Sequence, residues 1–437
     1  MPPRFLLINP WVYDFAAVDL WARPLGLYRV AEYLSRFDAR SHLLDLMDVH
    51  VREKTHGRGK YPRTVVPKPE FLAGIPRHFA RYGRPETSLT EALRAAGPFD
   101  ALLITGIMTY WYPGIVRTVD IVRRSHPRVP IILGGVYPTL WQEHASSLPG
   151  VDAVFTGILD DRFLSLLGRF DIRLDPVRDD PLPWYDLSSL SSVSLTAAPL
   201  MTGLGCPFQC PYCAVGPLTG GVYRRDPDSV VNEVLHLASR GVRDFAFYDD
   251  ALLYRPEYHI KPILREIERR NRGLRFHTPN GLHARFIDDE LAGLMRSAGF
   301  TTLRLSLETV NEDRQRESGK VFSRDLRKAV ISLRRAGFRK EEMGVYLMYG
   351  LPGQDLQEVS EGVDFVAGLG ARVNLTEFSP IPGTSHWRDL VSSGVISDDI
   401  DPLMTNNTVF SVLFSGYDPE RLEALKKRVR QFNGQEL

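Results

Sequence analysis

The chain has 437 residues, too many for one ordinary hydrophobic core, so two to three compact units are predicted. Hydrophobic residues make up 43% and charged residues 24%, the balance of a soluble globular enzyme rather than a disordered chain. The 54 basic and 53 acidic residues give a net charge of +1, which excludes an overall field that attracts nucleic acid or an anionic membrane. No apolar run approaches the roughly 20 residues of a membrane span, and no signal-peptide pattern opens the chain, so a cytoplasmic location is expected.

Short apolar runs alternate with amphipathic stretches over the first 165 residues. A helix is predicted after Pro24, where apolar positions recur at helical spacing. Runs that end in Gly or another breaker are typical of buried parallel strands. This alternation predicts a doubly wound, Rossmann-like parallel sheet over residues 1–165. The predicted strands lie at 5–10, 42–46, 101–106, 129–135 and 151–157.

A basic insertion over residues 51–90 interrupts this pattern. Positions 51–86 hold five prolines and nine Lys or Arg, but only three acidic residues. Such a charged segment is usually a solvated excursion between a strand and the next helix. The alternative is a basic flap for an anionic substrate or cofactor tail.

A proline-containing linker is predicted over residues 166–192 and a second alternating unit over 193–390. Six strand–helix repeats predict a partial (β/α)6 barrel of the TIM type, with its active site at the carboxyl ends of the strands. Residues 391–437 are predicted to form a helical tail. The strands of the second unit are predicted at 200–202, 244–248, 274–278, 303–307, 344–349 and 373–378.

All three cysteines of the chain, Cys206, Cys210 and Cys213, lie within eight consecutive positions. A secreted disulfide framework would use an even number spread along the chain, so this cluster indicates metal. Three thiolates on one tight loop can each hold one iron of a cubane and leave the fourth iron without a protein ligand. A structural zinc site needs a fourth ligand, and the nearest histidines, His236 and His259, are not at zinc-finger spacing. Buried structural thiols are the other alternative.

The spacing C-x3-C-x-aromatic-C, with Tyr212 as the aromatic residue, resembles the motif of the radical S-adenosylmethionine (SAM) superfamily. The resemblance implies a [4Fe–4S] cluster on the three cysteines, whose open iron chelates the amino and carboxylate groups of SAM. Electron transfer into the sulfonium then yields methionine and a 5′-deoxyadenosyl radical. The resemblance further implies an electron donor such as flavodoxin or ferredoxin.

The same resemblance implies SAM contacts at the strand ends that follow the cysteines. Asp249 and Asp250 lie where the family binds the ligand ammonium, although Asp after a strand is also a common helix N-cap. Ser306 and Glu308 resemble the ribose-binding strand, and alternation predicts that both lie on one face. Segment 350–353 resembles the adenine-binding segment, with a turn as the alternative. The predicted SAM-binding residues are Tyr212, Asp249, Asp250, Asn280, Ser306, Glu308 and Leu351, and Asn280 and Arg285 are alternatively substrate or turn residues.

The first unit resembles the cobalamin-binding-like domain that precedes many radical SAM domains, through segments 8–10, 24–26, 105–106 and 134–135. No Asp-x-His-x-x-Gly motif occurs, so a histidine ligand to cobalt is not expected. The alternative is a degenerate domain that only scaffolds or gates the barrel. The residues that the resemblance places at cobalamin are Trp11, Thr105, Gly106, Trp111, Gly134 and Gly135, and ordinary core packing is the alternative for the two tryptophans and for Tyr13 and Tyr112.

Three cysteines are too few for subclasses with auxiliary clusters, for methylthiotransferases, and for RNA methylases that carry the methyl group on a cysteine. The predicted activity is cobalamin-dependent methylation of an unactivated carbon or phosphorus centre in a small-molecule substrate. The alternatives are a radical rearrangement, transfer of the aminocarboxypropyl arm of SAM, or a non-enzymatic electron carrier. Residues that line the barrel mouth or belong to its core are Tyr254, His277, His283, Tyr349 and Glu377.

Overall fold

The computed structural model describes residues 1–49, 52–55, 58–177, 197–270 and 273–434. The chain divides into two compact units, Met1–Leu195 and Thr196–Leu437. Most of the predicted linker (178–192), the start of the predicted barrel domain (193–196) and parts of the insertion (51 and 56–57) lie outside the described residues. Within the described part of the chain, no helix has both the length and the apolar character needed to cross a membrane.

The first unit contains short strands and helices in alternation. Its strands are β1 (Arg4–Asn9), β2 (Val12–Asp14), β3 (Val18–Asp19), β4 (Arg40–Asp45), β5 (Arg52–Thr55), β6 (Arg58–Lys60), β7 (Arg63–Val65), β8 (Ala80–Tyr82), β9 (Ala101–Gly106), β10 (Ile131–Gly135) and β11 (Ala153–Val154). Its helices are α1 (Leu25–Leu34), α2 (Thr87–Ala96), α3 (Tyr112–Ser125), α4 (Val136–Leu140), α5 (Gln142–Ser146) and α6 (Asp161–Gly168).

Five parallel strands form the central sheet of the first unit, in the order β11-β10-β9-β1-β4. Numbered by their order along the chain, these strands lie as 2-1-3-4-5, a doubly wound arrangement whose connections reverse direction between β1 and β9. Every residue of the central strand β9 is buried, as expected of a parallel strand that is covered on both faces. The prediction of a doubly wound parallel sheet is confirmed.

The basic insertion forms secondary structure of its own, which the sequence pattern did not predict. Strands β2, β8 and β7 make one antiparallel sheet, and β3, β6 and β5 make another. A small core of Val12, Met47, Tyr61, Ala80 and Tyr82 holds the first of these sheets. The short strands after β1 supply partners that a loop alone would lack. A role in binding an anion stays a prediction.

The second unit also alternates strands and helices. Its strands are β12 (Ala197–Leu200), β13 (Gly203–Leu204), β14 (Tyr223–Arg224), β15 (Asp244–Phe247), β16 (Arg275–His277), β17 (Leu282–His283), β18 (Phe300–Glu308), β19 (Met343–Tyr349) and β20 (Arg372–Glu377). Its helices are α7 (Val215–Thr219), α8 (Pro227–Ser239), α9 (Ile260–Arg269), α10 (Asp289–Ala298), α11 (Glu312–Ser318), α12 (Ser323–Arg335), α13 (Leu356–Leu369), α14 (Ser385–Ser392), α15 (Asn407–Phe414) and α16 (Pro419–Phe432).

Six parallel strands of the second unit neighbour one another in chain order, β12-β15-β16-β18-β19-β20, and β17 also pairs with β18. Among the described residues β12 and β20 do not pair with each other, so this sheet is open, as the predicted partial barrel requires. One predicted strand is wrong in position: the first ends at Leu200 instead of covering 200–202. It ends there because the Thr202 backbone N–H donates to the carboxylate of Asp249 rather than to a neighbouring strand.

Aromatic side chains fill the start of this sheet. Phe245 and Phe247 lie two residues apart on β15 and therefore share a face, where both stack on Phe276 of β16 at 5.6 Å between ring centroids. Phe300 of β18 stacks on Phe247 at the same distance. The predicted helical tail is present as α15 and α16.

Candidate metal centre and ligand site

The cysteines lie on the loop between β13 and α7, which a glycine holds in place. Gly205 adopts a φ of +82°, a left-handed conformation that favours glycine, and a Cβ there would overlap the carbonyl oxygen of Gly221. The antiparallel pairing of β13 with β14 brings Gly221 to this position. The loop therefore begins at a place where no other residue fits without displacing the backbone.

The three thiols are free and at least half-buried, with Cys210 the most buried at 7% exposure. Burial raises the pKa of all three, and that of Cys210 to about 11. The positive charge of Lys320 opposes this effect at each sulfur. A metal that binds these sulfurs must displace their protons. The site therefore suits a metal group whose binding free energy offsets the deprotonation of several thiols.

The three sulfurs do not converge as the ligands of one ion do. In the described part of the chain, the His, Cys, Asp or Glu ligand atoms that lie within 4.8 Å of one another in a group of three belong to Glu257, Asp288 and Glu290. Those carboxylates surround the buried ammonium of Lys261, with Glu290 at 2.7 Å, and so have a structural partner already. The wider spacing of the thiols fits a multi-iron cluster better than a single zinc ion.

Asp249 braces the start of the cysteine loop from the neighbouring strand end. Its carboxylate accepts the Thr202 N–H at 3.0 and 3.1 Å and the Thr202 hydroxyl at 2.6 Å. His259 Nε2 lies 2.7 Å from the same hydroxyl. Burial raises the pKa of Asp249 to about 6 and lowers that of His259 to about 4. Asp249 is 3% exposed and its carboxylate already holds Thr202, while its predicted contact with SAM stays a prediction.

Asp250 makes a second brace, because its Oδ2 accepts the Gly205 N–H at 2.8 Å. Arg224 of β14 lies nearby, and its positive charge lowers the pKa of both carboxyls against the larger effect of burial, which raises them. The Arg224 guanidinium donates to the carbonyl oxygen of Ala251 at 2.7 Å. The two adjacent carboxylates thus fix both ends of segment 202–205.

Among the described residues, three buried polar atoms beside the thiols have no hydrogen-bond partner: His283 Nδ1, Arg224 Nε and the Tyr212 hydroxyl. Unpartnered buried polar groups are rare and costly, so they indicate an additional group at this place. His283 is 1% exposed, and its Nε2 lies 3.8 Å from Cys206 Sγ. Burial, with the positive charges of Lys320 and Arg285, lowers the pKa of His283 to about 3. The three thiols and the unpartnered Arg224 N–H fit an anionic iron–sulfur cluster.

Glu308 ends β18 in a left-handed conformation with φ of +70°, which is rare and strained for a side chain of this kind. A register shift between Ser306 and Glu308 interrupts the strand. The alternation that predicted a shared face for these two residues therefore does not hold at Glu308. Lys320 pairs with Glu308 at 3.2 Å, and although burial lowers the pKa of Lys320, Glu308 and Cys210 raise it overall.

The remaining predicted SAM residues lie around the same strand ends. Asn280 donates through Nδ2 to the carbonyl oxygen of Tyr248 at 2.9 Å, which supports the turn alternative. Ser306 is buried and lies against Gly281. A Cβ at Gly281 would overlap the Ser306 hydroxyl oxygen. Tyr212 and Leu351 line one small cavity with Glu308, so three of the predicted residues come together there. The assignment of these residues to SAM stays a prediction.

The two tryptophans predicted at cobalamin, Trp11 and Trp111, differ in burial. Trp11 is fully buried and donates through Nε1 to the carbonyl oxygen of Arg84 at 2.7 Å. Trp111 donates to Asp14 Oδ2 at 2.7 Å. For Trp11 the structure therefore supports the core alternative. Trp111 is only partly buried and keeps part of its ring at the surface.

The other predicted residues lie at the carboxyl ends of β9 and β10. Gly135 has a φ of +104°, and a Cβ there would come within 2.9 Å of the Thr105 hydroxyl and 2.6 Å of the Gly106 carbonyl oxygen. Gly134 and Gly135 keep this edge open. Apolar side chains that are 37–58% exposed follow β9, β10 and β11 at the same edge, namely Ile107, Met108, Val136 and Ile158. An open backbone edge beside exposed apolar groups is chemically suited to a large, flat cofactor.

Comparison with known protein families gives a match to the radical SAM superfamily over residues 200–366, which includes the cysteine loop and β15 to β19. The cysteine loop thus lies in a radical SAM domain. The match starts at the last residue of β12 and ends within α13.

Curated relatives are identical to this chain at about a quarter of the aligned positions. An uncharacterised methyltransferase of Pyrococcus horikoshii is 23% identical over 67% of the chain and 66% of its own length. The ribosomal protein uS12 methylthiotransferase RimO of Parabacteroides distasonis is 26% identical over 46% of the chain and 49% of its own length. The chain thus spans two thirds or less of these relatives.

Among solved structures, the radical SAM methyltransferase TsrM of Kitasatospora setae, determined with cobalamin and a [4Fe–4S] cluster bound, is similar in fold. The TM-score is 0.66 at 17% sequence identity, and the similarity covers 90% of this chain and 78% of TsrM. At this low sequence identity the similarity shows the fold alone. The similar fold extends over both units of the chain.

Four residues around the cysteine loop were not predicted as part of the site from the sequence: Thr202, Arg224, His259 and Lys320. None belongs to a motif, and each reaches the cysteine loop from a different segment of the chain. A signal for one contact was present, since Gly220 and Gly221 follow the motif as a pair. Paired glycines permit the close backbone approach that Gly205 requires.

The glycine contact yields a test of the loop geometry. We expect Gly205→Ala to displace the loop, because the new Cβ meets the backbone of Gly221, at a cost of about 1–3 kcal/mol. Iron retained after anaerobic reconstitution and the unfolding temperature should both fall. Gly216→Ala is the matched control: it lies in α7 with open space around its Cα, so both quantities should stay unchanged. Equal iron content in the two variants would contradict this account of the loop.

Proposed function

We propose that this enzyme cleaves SAM reductively at a [4Fe–4S] cluster and transfers a methyl group by way of cobalamin. The observation that carries the proposal is the cysteine loop: three free thiols on one loop, beside buried polar atoms that have no hydrogen-bond partner among the described residues. Its position at the carboxyl end of the first strand of a parallel sheet is where such folds place their active sites.

Cys206, Cys210 and Cys213 would hold three irons of the cluster. When bound, the cluster supplies the electron that splits SAM into methionine and a 5′-deoxyadenosyl radical. The loop holds the sulfurs on one side of the site, and Lys320 offsets part of the charge of the thiolates. A flavodoxin- or ferredoxin-type protein is the proposed source of the electron.

Residues at the strand ends are proposed to orient SAM. Asp250 Oδ1 is placed to accept from the ammonium, since Oδ2 already holds Gly205. The Lys320–Glu308 pair offers a cation for the carboxylate of SAM and an acceptor for its ribose. Tyr212 and Leu351 would cover the adenosine from the cavity that they share with Glu308. These groups orient the ligand and exclude water from it.

The first unit is proposed to bind cobalamin at the carboxyl edge of β9 and β10. The Gly134–Gly135 backbone, which carries no side chain, would face the corrin, and Ile107, Met108 and Val136 would cover its apolar surface. When bound, cobalamin supplies the methyl group. The methyl acceptor is proposed to be an unactivated carbon or phosphorus centre of a small molecule, and the methyltransferase relative supports transfer over a rearrangement or aminocarboxypropyl transfer.

The first test is anaerobic reconstitution with iron and sulfide, followed by dithionite and SAM. We expect 5′-deoxyadenosine as a product in wild type, and a fall to background in Cys210→Ala, because the cluster loses one of its three ligands. Gly216→Ala should retain the wild-type amount. A wild-type protein that takes up a cluster but forms no 5′-deoxyadenosine would be an electron carrier and would overturn the proposal.

The second test concerns cobalamin bound after gel filtration, read as cobalt per chain. We expect the double variant Met108→Asp/Val136→Asp to retain at least about tenfold less cobalt, because each buried, unpaired carboxylate costs several kcal/mol. Val65→Asp, a control at an exposed valine of β7, should retain the wild-type amount. If wild type retains no cobalt under conditions that give SAM cleavage, the methyl carrier is wrong and only the SAM chemistry stands.

A further inference from the structure

His283 lies beside Cys206, one of the proposed cluster ligands, and the proposed function gives its side chain no role. It is the last residue of β17, and β17 pairs in parallel with β18 so that His283 lies beside Ser306. This pairing fixes the imidazole at the edge of the sheet. Its Nε2 lies 3.8 Å from Cys206 Sγ, within the range of a hydrogen bond to sulfur.

We infer that His283 donates a hydrogen bond from Nε2 to the Cys206 sulfur and thereby raises the reduction potential of the cluster. The inference rests on the proposed function, because it requires the cluster on Cys206. Reduction adds one electron, supplied by the protein reductant, and so adds negative charge to the sulfur ligands. A donor at a ligand sulfur stabilises the reduced form more than the oxidised form, which is one of the established means of setting cluster potentials.

The surroundings of His283 make this hydrogen bond strong and fixed. Phe208, which follows Cys206 by two residues, packs on the imidazole at 5.1 Å between ring centroids, and Phe286 meets it edge-on at 6.3 Å. Arg285 lies over the Phe208 ring at 5.5 Å and covers it from the outside. These rings exclude water, and a hydrogen bond in a dry environment is electrostatically stronger than one in water.

The unpartnered Nδ1 of His283 agrees with this assignment. A neutral imidazole carries one N–H, and the two ring nitrogens of His283 differ in what they meet. With the proton on Nε2 the donor meets a sulfur, and Nδ1 is left as an unpartnered acceptor. With the proton on Nδ1, that N–H would have no acceptor and the Nε2 lone pair would face the ligand sulfur. The first tautomer leaves fewer groups unsatisfied.

The test is an EPR-monitored potential titration of reconstituted protein with dithionite, on wild type, His283→Gln and His283→Leu. Gln keeps an N–H near the position of Nε2, whereas Leu keeps volume and removes the donor. We expect a clear shift to lower potential in Leu and a smaller shift in Gln. His236→Gln, which removes an imidazole from α8, is the matched control and should keep the wild-type potential.

Three outcomes would overturn the inference. One is equal potentials in wild type, Gln and Leu. Another is a loss of cluster content in Leu with no change in the potential of the remaining cluster, which would mean a packing role alone. The third is strong nitrogen coupling in the pulsed EPR spectrum of wild type, which would place the imidazole on iron. Failure of the proposed function looks different, because wild type itself would then show no cluster signal.

Discussion

The position of the cysteine loop depends on one backbone group, the N–H of Gly205. The Asp250 carboxylate accepts a hydrogen bond from that N–H. On the other side, the backbone of Gly221 lies so close to Gly205 that it would overlap a Cβ there. Asp249 and His259 hold Thr202, three residues earlier, in the same way. Because the carboxylates follow β15 directly, the sheet itself positions the loop. The thiols are thus tied to the strand ends where the other candidate residues lie.

This arrangement has an electrostatic cost that the neighbouring side chains offset. Three thiols and two aspartates lie in a largely buried region, and burial disfavours the charged form of each. The opposing positive charges come from Lys320, which follows α11, and from Arg224 of β14. Lys320 also forms an ion pair with Glu308, and this pair holds the side chain of a residue whose backbone is strained. Strain of this kind is often kept where a site must be pre-organised.

Local pattern was sufficient to predict the strands, the helices and the cluster motif, because periodicity and cysteine spacing are properties of short segments. It failed where contacts between distant segments of the chain determine the local structure. Thr202 leaves the predicted strand for Asp249, 47 positions away. Trp11 is enclosed by the insertion through the Arg84 carbonyl group, and the register shift at Glu308 depends on the pairing of β18 with β19. Neither a buried carboxylate's partner nor a bulge follows from the period of a strand.

The central claim is that the three thiols hold one cluster whose fourth iron is open to SAM. The most direct measurement is the Mössbauer spectrum of the protein reconstituted with ⁵⁷Fe, recorded with and without SAM. The account predicts that about a quarter of the iron signal changes its isomer shift when SAM is added, since one iron of a [4Fe–4S] cluster lacks a protein ligand. A spectrum in which all iron sites stay equivalent and unaffected by SAM would contradict it.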